Sequence, residues 1–329
     1  MPLPETAQAF WVTRPGEGEI RTASLDPLTA DHVHVRALYS GVSRGTESLV
    51  FNARVPESEY ARMRAPFQDG EFPAPVKYGY CSVGVVEQGP KALLNAHVFC
   101  LYPHQSRYVV PVEAVLPLPD NVPAERAVLT ANMETAVNGV WDANPRLGET
   151  LCVVGAGVVG ALVAYLCARI PGVNVHLIDI DPRRQSLAQA LGVNFATPDS
   201  APQEQDCVIH ASGHGEGLKL GLSLLGREGR LIEMSWFGEG ETSLSLGGAF
   251  HSQRLSIKAS QVGQLPAPMQ PRWDYRRRLA LALRLLDDPV LDQLISGECT
   301  LEKFPALAPA LLGPGSRALC HRIAYPDND

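Results

Sequence analysis

Six consecutive residues, Gly155-Ala156-Gly157-Val158-Val159-Gly160, carry three glycines at the GxGxxG spacing. In a phosphate-binding turn the first glycine permits the sharp bend and the second lets the backbone approach a pyrophosphate. The third lets a helix pack closely on a strand. Nineteen residues beyond Gly160 comes Asp179, whose carboxylate can accept hydrogen bonds from a ribose 2′-hydroxyl. Together these residues suit the binding of a dinucleotide, with the N–H groups and positive partial charge of a helix N-terminus turned to the phosphates. Asp179 repels a 2′-phosphate, which favours NAD. Arg183 and Arg184 follow closely enough to accommodate that phosphate, which leaves NADP open.

The glycine spacing alone carries little; its setting carries the assignment. Cys152-Val153-Val154 reads as a buried strand, Ala161 to Ala168 as a helix, and Val175 to Ile178 as a second strand ending on Asp179. Thr150 to Ala168 has no charge over about the length of a bilayer span, but three glycines in six residues favour strand-turn-helix, and no membrane segment is expected. A helix is expected from Pro182-Arg183-Arg184 to Leu191, with Gly192 as its C-terminal cap. Asp206 to Gly213 reads as a strand, Leu218 to Leu225 as a helix and Gly229 to Met234 as the next strand. Such alternation means a parallel sheet with crossover helices. Ser212 and Ser235, at strand ends, are expected to line the cofactor crevice.

The first 125 residues look β-rich. His32 to Leu38 alternates like a half-buried strand, which places both His32 and His34 on a solvent face; Gly41 to Glu47 reads as a loop. Residues 54–72 are a polar excursion, Val83 to Glu87 and Tyr108 to Val112 are strands, and Ala124 to Ala143 is a linking helix. Near the end, Tyr275 to Leu286 reads as an amphipathic helix with Arg276, Arg277 and Arg278 on its solvated face, and Ala318 to Tyr325 as a strand. The chain has 329 residues, enough for two domains with sizeable cores. A net charge of −7 argues against a nucleic-acid surface. Seven scattered cysteines without a CxxC pair, and an acid- and proline-containing start, fit a cytoplasmic protein.

These parts together resemble the medium-chain dehydrogenase/reductase superfamily over nearly the whole chain. GVSRGTE (41–47) stands where zinc alcohol dehydrogenases have a GICxSD-like loop, and GYCSVGVVEQGP (79–90) where they have GHExxGxVxxxG. SRYVVPVEAVLPLPDNV (106–122) and LISGECTLEKFPAL (294–307) match later landmarks in order. The resemblance implies an α/β fold: a Rossmann doubly wound parallel sheet (126–274) plus a β-rich GroES-like catalytic domain (1–125, completed by 275–329). It implies a cleft between them, a small-molecule substrate, and a homodimer. At the positions where the zinc members hold their catalytic metal this chain has Ser43, Tyr80 and Ala131, which lack thiolate and imidazole donors. The four-cysteine structural zinc lobe is missing too, so no zinc is expected. SRGTE, PHQ, the YVVP strand and NMETAVNGVWDA (132–143) resemble a non-zinc branch that includes the bacteriochlorophyllide hydroxyethyl dehydrogenase.

A hydride leaving a nicotinamide for a carbonyl creates charge on oxygen, which hydrogen-bond donors must stabilise and then protonate. By the resemblance Thr46 matches a proton-relay hydroxyl, Tyr80 replaces a metal-binding histidine, Glu47 orients its neighbours, Arg44 contacts cofactor phosphates and Thr135 lies at the nicotinamide face. His104 is a candidate general acid because its ordinary pKa is near neutrality. Ser43 and Glu134 complete the catalytic candidates. Ala156, Val158 and Val159 join the glycines, Asp179, Arg184, Arg44, Thr135 and Ser212 as cofactor contacts. The expected activity is an NAD(P)-dependent exchange between a secondary alcohol and a ketone on a bulky substrate. Reduction of enones or quinones, and nucleotide binding without turnover, are the alternatives.

Overall fold

The computed structural model describes residues 4–326. From the N-terminus run β1 (Thr6–Arg14), β2 (Glu17–Ser24), β3 (His32–Val42), helix α1 (Arg44–Phe51), the short β4 (Asp69–Gly70) and β5 (Val76–Lys77), then β6 (Ser82–Gln88), β7 (His97–Cys100), β8 (Arg107–Pro111) and β9 (Val115–Pro117). Helices α2 (Ala124–Ala127) and α3 (Thr130–Ala143) follow. Then come β10 (Thr150–Val154), α4 (Val158–Cys167), β11 (Asn174–Ile178), α5 (Arg184–Leu191), β12 (Asn194–Ala196), β13 (Gln205–His210), α6 (Gly215–Ser223), β14 (Leu225–Glu233), α7 (Ala249–Ser252) and β15 (Ser256–Ala259). Helix α8 (Tyr275–Arg284), β16 (Ile295–Thr300), α9 (Phe304–Leu312) and β17 (Cys320–Ala324) come last.

The chain forms two compact units, Met1–Ala131 with Leu283–Asp329, and Asn132–Ala282. Both divides fall later than the expected 125 and 275. The second falls later because a buried clamp keeps α8 with α3. Arg278, only 2% exposed, donates to Glu134 Oε1 (3.0 Å) and the carbonyl of Val262 (2.6 Å), and also to Asn138 Oδ1. The solvated face expected for Arg276–Arg278 therefore excludes Arg278, whose charge is matched by Glu134 in the core.

The first unit holds two sheets. One has the order β2-β1-β5-β4; the other runs β16-β17-β3-β6-β7-β9, with β8 also pairing β3. In the second sheet β17 joins antiparallel to β3, which brings the two ends of the chain together. His34 is not on a solvent face: it is 3% exposed, with Nδ1 3.4 Å from Glu87 Oε2. Glu87 also pairs with Arg36 and Arg107, and these long side chains cover the polar side of β3. Residues 41–47 are not a loop either; β3 runs to Val42 and α1 begins at Arg44. Ser43 is the N-cap, and its N–H donates to Glu47 Oε1 at 2.7 Å, an acidic side chain in the first turn where a helix favours it.

The second unit is a six-stranded parallel sheet ordered β12-β11-β10-β13-β14-β15. Numbered within the unit this is 3-2-1-4-5-6, the order of a dinucleotide-binding sheet, with its switch point between β10 and β13. Leu151 to Val154 are all buried, as a central parallel strand requires. Helix α5 ends as expected on Gly192, in the left-handed region at φ +75°. The helix expected over 218–225 instead spans Gly215–Ser223, because Leu225 already pairs with Gln205 as the start of β14. Likewise 124–143 is two helices, with Val128 and Leu129 between them.

Candidate active site

In the second unit the glycine turn follows β10 directly. Gly155 sits at φ +107°, and a Cβ there would meet Ser212 backbone atoms at 2.7 Å; a Cβ on Gly160 would lie 1.9 Å from the Gly155 carbonyl oxygen. These glycines let the turn, α4 and the end of β13 close on one another. Gly157 is different: a Cβ there meets nothing within 4 Å. That open space, at the N-cap of α4 with no side chain capping the helix, is a cradle that fits a pyrophosphate. Asp179 is fixed by two backbone donors, Ala156 N–H to Oδ2 (2.7 Å) and Asp181 N–H to Oδ1 (2.8 Å). Val158 and Val159 form the first turn of α4, and Thr135, partly buried, lies on α3. Arg183 is exposed and pairs with Asp181 at 2.8 Å, whereas Arg184 opens α5.

Ser212 is held by a network the sequence did not suggest. Its Oγ lies 2.6 Å from Nε2 of the fully buried His210, whose Nδ1 lies 2.7 Å from Glu233 Oε2. Ser235 donates its N–H to Glu233 (2.6 Å) and accepts from the Gly213 N–H (3.0 Å). The turns after β13 and β14, which form one side of the switch point, are thereby tied to the sheet.

In the first unit the start of α1 and the segment before β6 bring three candidates together. The Tyr80 hydroxyl is hydrogen-bonded to the side chains of Ser43 and Thr46. Burial, with smaller effects from Cys81 and Glu47, pushes the Tyr80 phenol well above its ordinary pKa, while the Ser43 and Thr46 hydroxyls work the other way. Tyr80 therefore stays protonated and can donate. Its ring meets Tyr78 edge-on at 5.9 Å, which limits its orientations. Arg44 is the first residue of α1, partly exposed beside this cluster in sequence.

Glu47 and His104 are bonded to one another, Oε2 to Nε2 at 2.9 Å. The other His104 nitrogen meets Ser40 Oγ at 2.7 Å, and the ring is 1% exposed. Both nitrogens are engaged, so His104 is not a donor that meets a substrate directly; it stands behind Glu47. Glu134 belongs to the other unit, where Arg278 holds it. Burial raises its pKa, and Arg278 acts in the opposite direction.

These residues do not fit a tetrahedral zinc. Ser43, Tyr80 and Ala131 bring no nitrogen or thiolate, and Cys81 is a fully buried thiol pushed far up by burial. Glu47 and His104 already satisfy each other. Among the described residues no three His, Cys, Asp or Glu side chains converge on one point.

No family profile matches the chain. It is 25% identical to the D-guloside 3-dehydrogenase of Escherichia coli K12 over 283 residues, covering 76% of this chain and 79% of that protein. Its fold superposes on L-idonate 5-dehydrogenase of E. coli with a TM-score of 0.79, at 13% identity over 97% of this chain and 98% of that one. An alcohol dehydrogenase of E. coli CFT073 complexed with NADH gives 0.77, at 15% identity over 98% and 100%. A Rossmann sheet joined in one chain to a β-rich unit built from both chain ends is the fold of the zinc-binding-type, alcohol-dehydrogenase-like enzymes, and it is the fold of this protein.

Proposed function

We propose that the protein is an NAD(P)-dependent, zinc-independent oxidoreductase that moves a hydride between a nicotinamide and a secondary alcohol or ketone. The observation that carries this reading is the buried Tyr80 phenol hydrogen-bonded to the Ser43 and Thr46 side chains, at a position to which the resemblance assigns a metal ligand in the zinc members. The glycine cradle, Asp179, Thr135, Arg44 and Ser212 would hold the cofactor, and when bound it supplies the hydride. The chain's own residues then manage the oxygen. Tyr80 donates to it and gives up its proton, and Ser43 and Thr46 donate to the phenolate that remains. Glu47 orients α1 and its N-cap through the Ser43 N–H. The likeness to a D-guloside 3-dehydrogenase supports alcohol–ketone exchange over reduction of a double bond. A bulky substrate, as in the bacteriochlorophyllide branch, remains part of the proposal. The two N–H bonds that fix Asp179 hold a negative charge at the end of β11, which supports NAD over NADP.

The proposal extends to a cytoplasmic homodimer. All seven cysteines are free and buried, as a reducing compartment allows. No helix among the described residues is long and apolar enough to cross a membrane. β15 lies at the edge of its sheet with all four residues exposed, and an open edge of this kind suits pairing with a second copy. The test is NADH oxidation by protein pretreated with a chelator, offered ketones and enones side by side. Ketone-dependent turnover that survives chelation, with NADH bound more tightly than NADPH, is expected. Binding of neither cofactor, or activity that returns only with zinc, overturns the reading.

A further inference from the structure

In the parallel sheet of the second unit, four strands end on apolar residues: Val154 on β10, Ile178 on β11, Ala196 on β12 and Ala259 on β15. The other two end on His210 (β13) and Glu233 (β14), which are partners in register. His210 is fully buried, and the Glu233 side chain is 15% exposed. A buried pair of this kind adds little stability that apolar residues would not supply, so packing does not explain its place beside the switch point.

The pair is the hub of a closed set of bonds. Nδ1 of His210 faces both Glu233 oxygens, at 2.9 Å and 2.7 Å, and Glu233 Oε1 also accepts the Ser235 N–H at 2.6 Å. Nε2 of His210 lies 2.6 Å from Ser212 Oγ, which also accepts the His214 N–H at 3.2 Å. Ser235 Oγ accepts the Gly213 N–H at 3.0 Å. Residues 212–214, the turn from β13 into α6, are thus held at three points, and each leads back to His210 or Glu233. Gly217 leaves room for the arrangement, since a Cβ there would lie 2.9 Å from His210 Nε2. The turn also backs onto the glycine cradle, where a Cβ on Gly155 would meet Ser212 N and Cα at 2.7 Å. Ser212 itself is partly exposed. A hydroxyl has one proton and two acceptor positions. His210 and the His214 N–H take up two of the three, and one is left for a ligand.

We propose that His210 and Glu233 are a positioning pair for the cofactor: they fix the Ser212 hydroxyl so that it meets a hydroxyl of the nicotinamide ribose. The proposal rests on the cofactor reading above. A dinucleotide crosses the switch point with one mononucleotide on each side. Asp179, at the end of β11, marks the adenosine side, so the side of β13 and β14 takes the other ribose. Ribose hydroxyls both donate and accept, so the contact serves whichever nitrogen of His210 carries the proton. His210 and Glu233 act through Ser212 and do not touch the cofactor.

The experiment measures Tm, and dissociation constants by calorimetry, for the parent chain, His210→Gln, His210→Asn, Ser212→Ala and the double variant His210→Asn with Ser212→Ala. The ligands are NADH, ADP-ribose, which keeps the second ribose, and ADP, which lacks it. A glutamine amide reaches as far as Nε2 and keeps a partner for Ser212; an asparagine amide reaches only as far as Nδ1 and does not. In His210→Asn and Ser212→Ala the constants for NADH and ADP-ribose are expected to rise about tenfold, while that for ADP stays within about twofold of the parent. His210→Gln is expected to bring NADH affinity back to within about threefold of the parent. The double variant is expected to bind NADH no more weakly than either single one, because both remove the same interaction.

A role in packing alone would lower Tm and weaken NADH alike in the two histidine variants, and that result overturns the proposal. So does an equal loss of ADP affinity, or additive losses in the double variant. Ser212→Ala deletes one partly exposed hydroxyl, so it can be read even where a histidine variant fails to fold; unchanged ADP-ribose affinity in it also overturns the proposal. A parent protein that binds none of the three ligands removes the cofactor reading, and the positioning role falls with it.

Discussion

At the scale of single residues, the start of α1 and the segment before β6 gather hydroxyls, Tyr80 with Ser43 and Thr46. A phenol pushed above its ordinary pKa by burial stays protonated and keeps its O–H to donate, and in the proposed reaction the Ser43 and Thr46 hydroxyls would steady the phenolate. Tyr80→Phe is therefore expected to lower kcat for ketone reduction by roughly 10²-fold while leaving the NADH dissociation constant unchanged. Steady-state kinetics with fluorescence titration of NADH decide it, and a loss of less than about twofold in kcat would assign the tyrosine to packing alone. Ser43 and Thr46 matched landmarks visible in the sequence. Ser40 and Tyr325 carried no signal there, because a lone serine in a strand and a tyrosine near the C-terminus say nothing of one another across 285 positions.

At the scale of elements, the glycine turn separates folding from binding. Gly160→Ala puts a methyl group 1.9 Å from a backbone oxygen, which no rotamer can relieve. It is expected to cost about 1–3 kcal/mol of stability, visible as a lower Tm. Gly157→Ala meets open space, so Tm should hold while NADH affinity falls about tenfold or more, because the methyl group enters the pyrophosphate cradle. Equal loss of Tm in the two variants would contradict this division. Strand β3 carries a second consequence. Burial holds the pKa of His34 below its ordinary value of 6.5, with Glu87 opposing, and His176 and His321 are also lowered by burial. A histidine depressed in the folded state contributes stability above its unfolded pKa and loses it as pH falls through the folded value. Tm is thus expected to drop between pH 7 and pH 5, and less steeply in His34→Gln. Parallel slopes in thermal melts of the two proteins would remove His34 as a cause.

At the scale of the whole molecule, the two units are made by different means. The Rossmann unit is continuous in sequence, whereas the β-rich unit is completed when β17 pairs with β3. The open edge at β15 is where a homodimer would join. Light scattering is expected to give twice the 35.5 kDa of one chain. Ile257→Asp, which puts a charge on that edge, is expected to give the monomer. A parent protein that runs as a monomer would remove the dimer.

The amino-acid order by itself determined the local and periodic features. These are the βαβ alternation, the glycine turn with Asp179 at the end of its second strand, the Gly192 cap, and the absence of thiolate and imidazole at Ser43, Tyr80 and Ala131. Each depends on residues near in sequence or on an ordered set of landmarks. Tertiary structure decided what depended on partners far along the chain. It buried His34 under Glu87 and turned Arg278 inward to Glu134. It also engaged both nitrogens of His104, the candidate general acid, with Glu47 and Ser40, and joined Ser40 to Tyr325. A polar side chain's role is set by which donors and acceptors fill its hydrogen-bonding positions and whether water can reach it. Those are properties of packing between distant segments, which spacing along the chain does not encode.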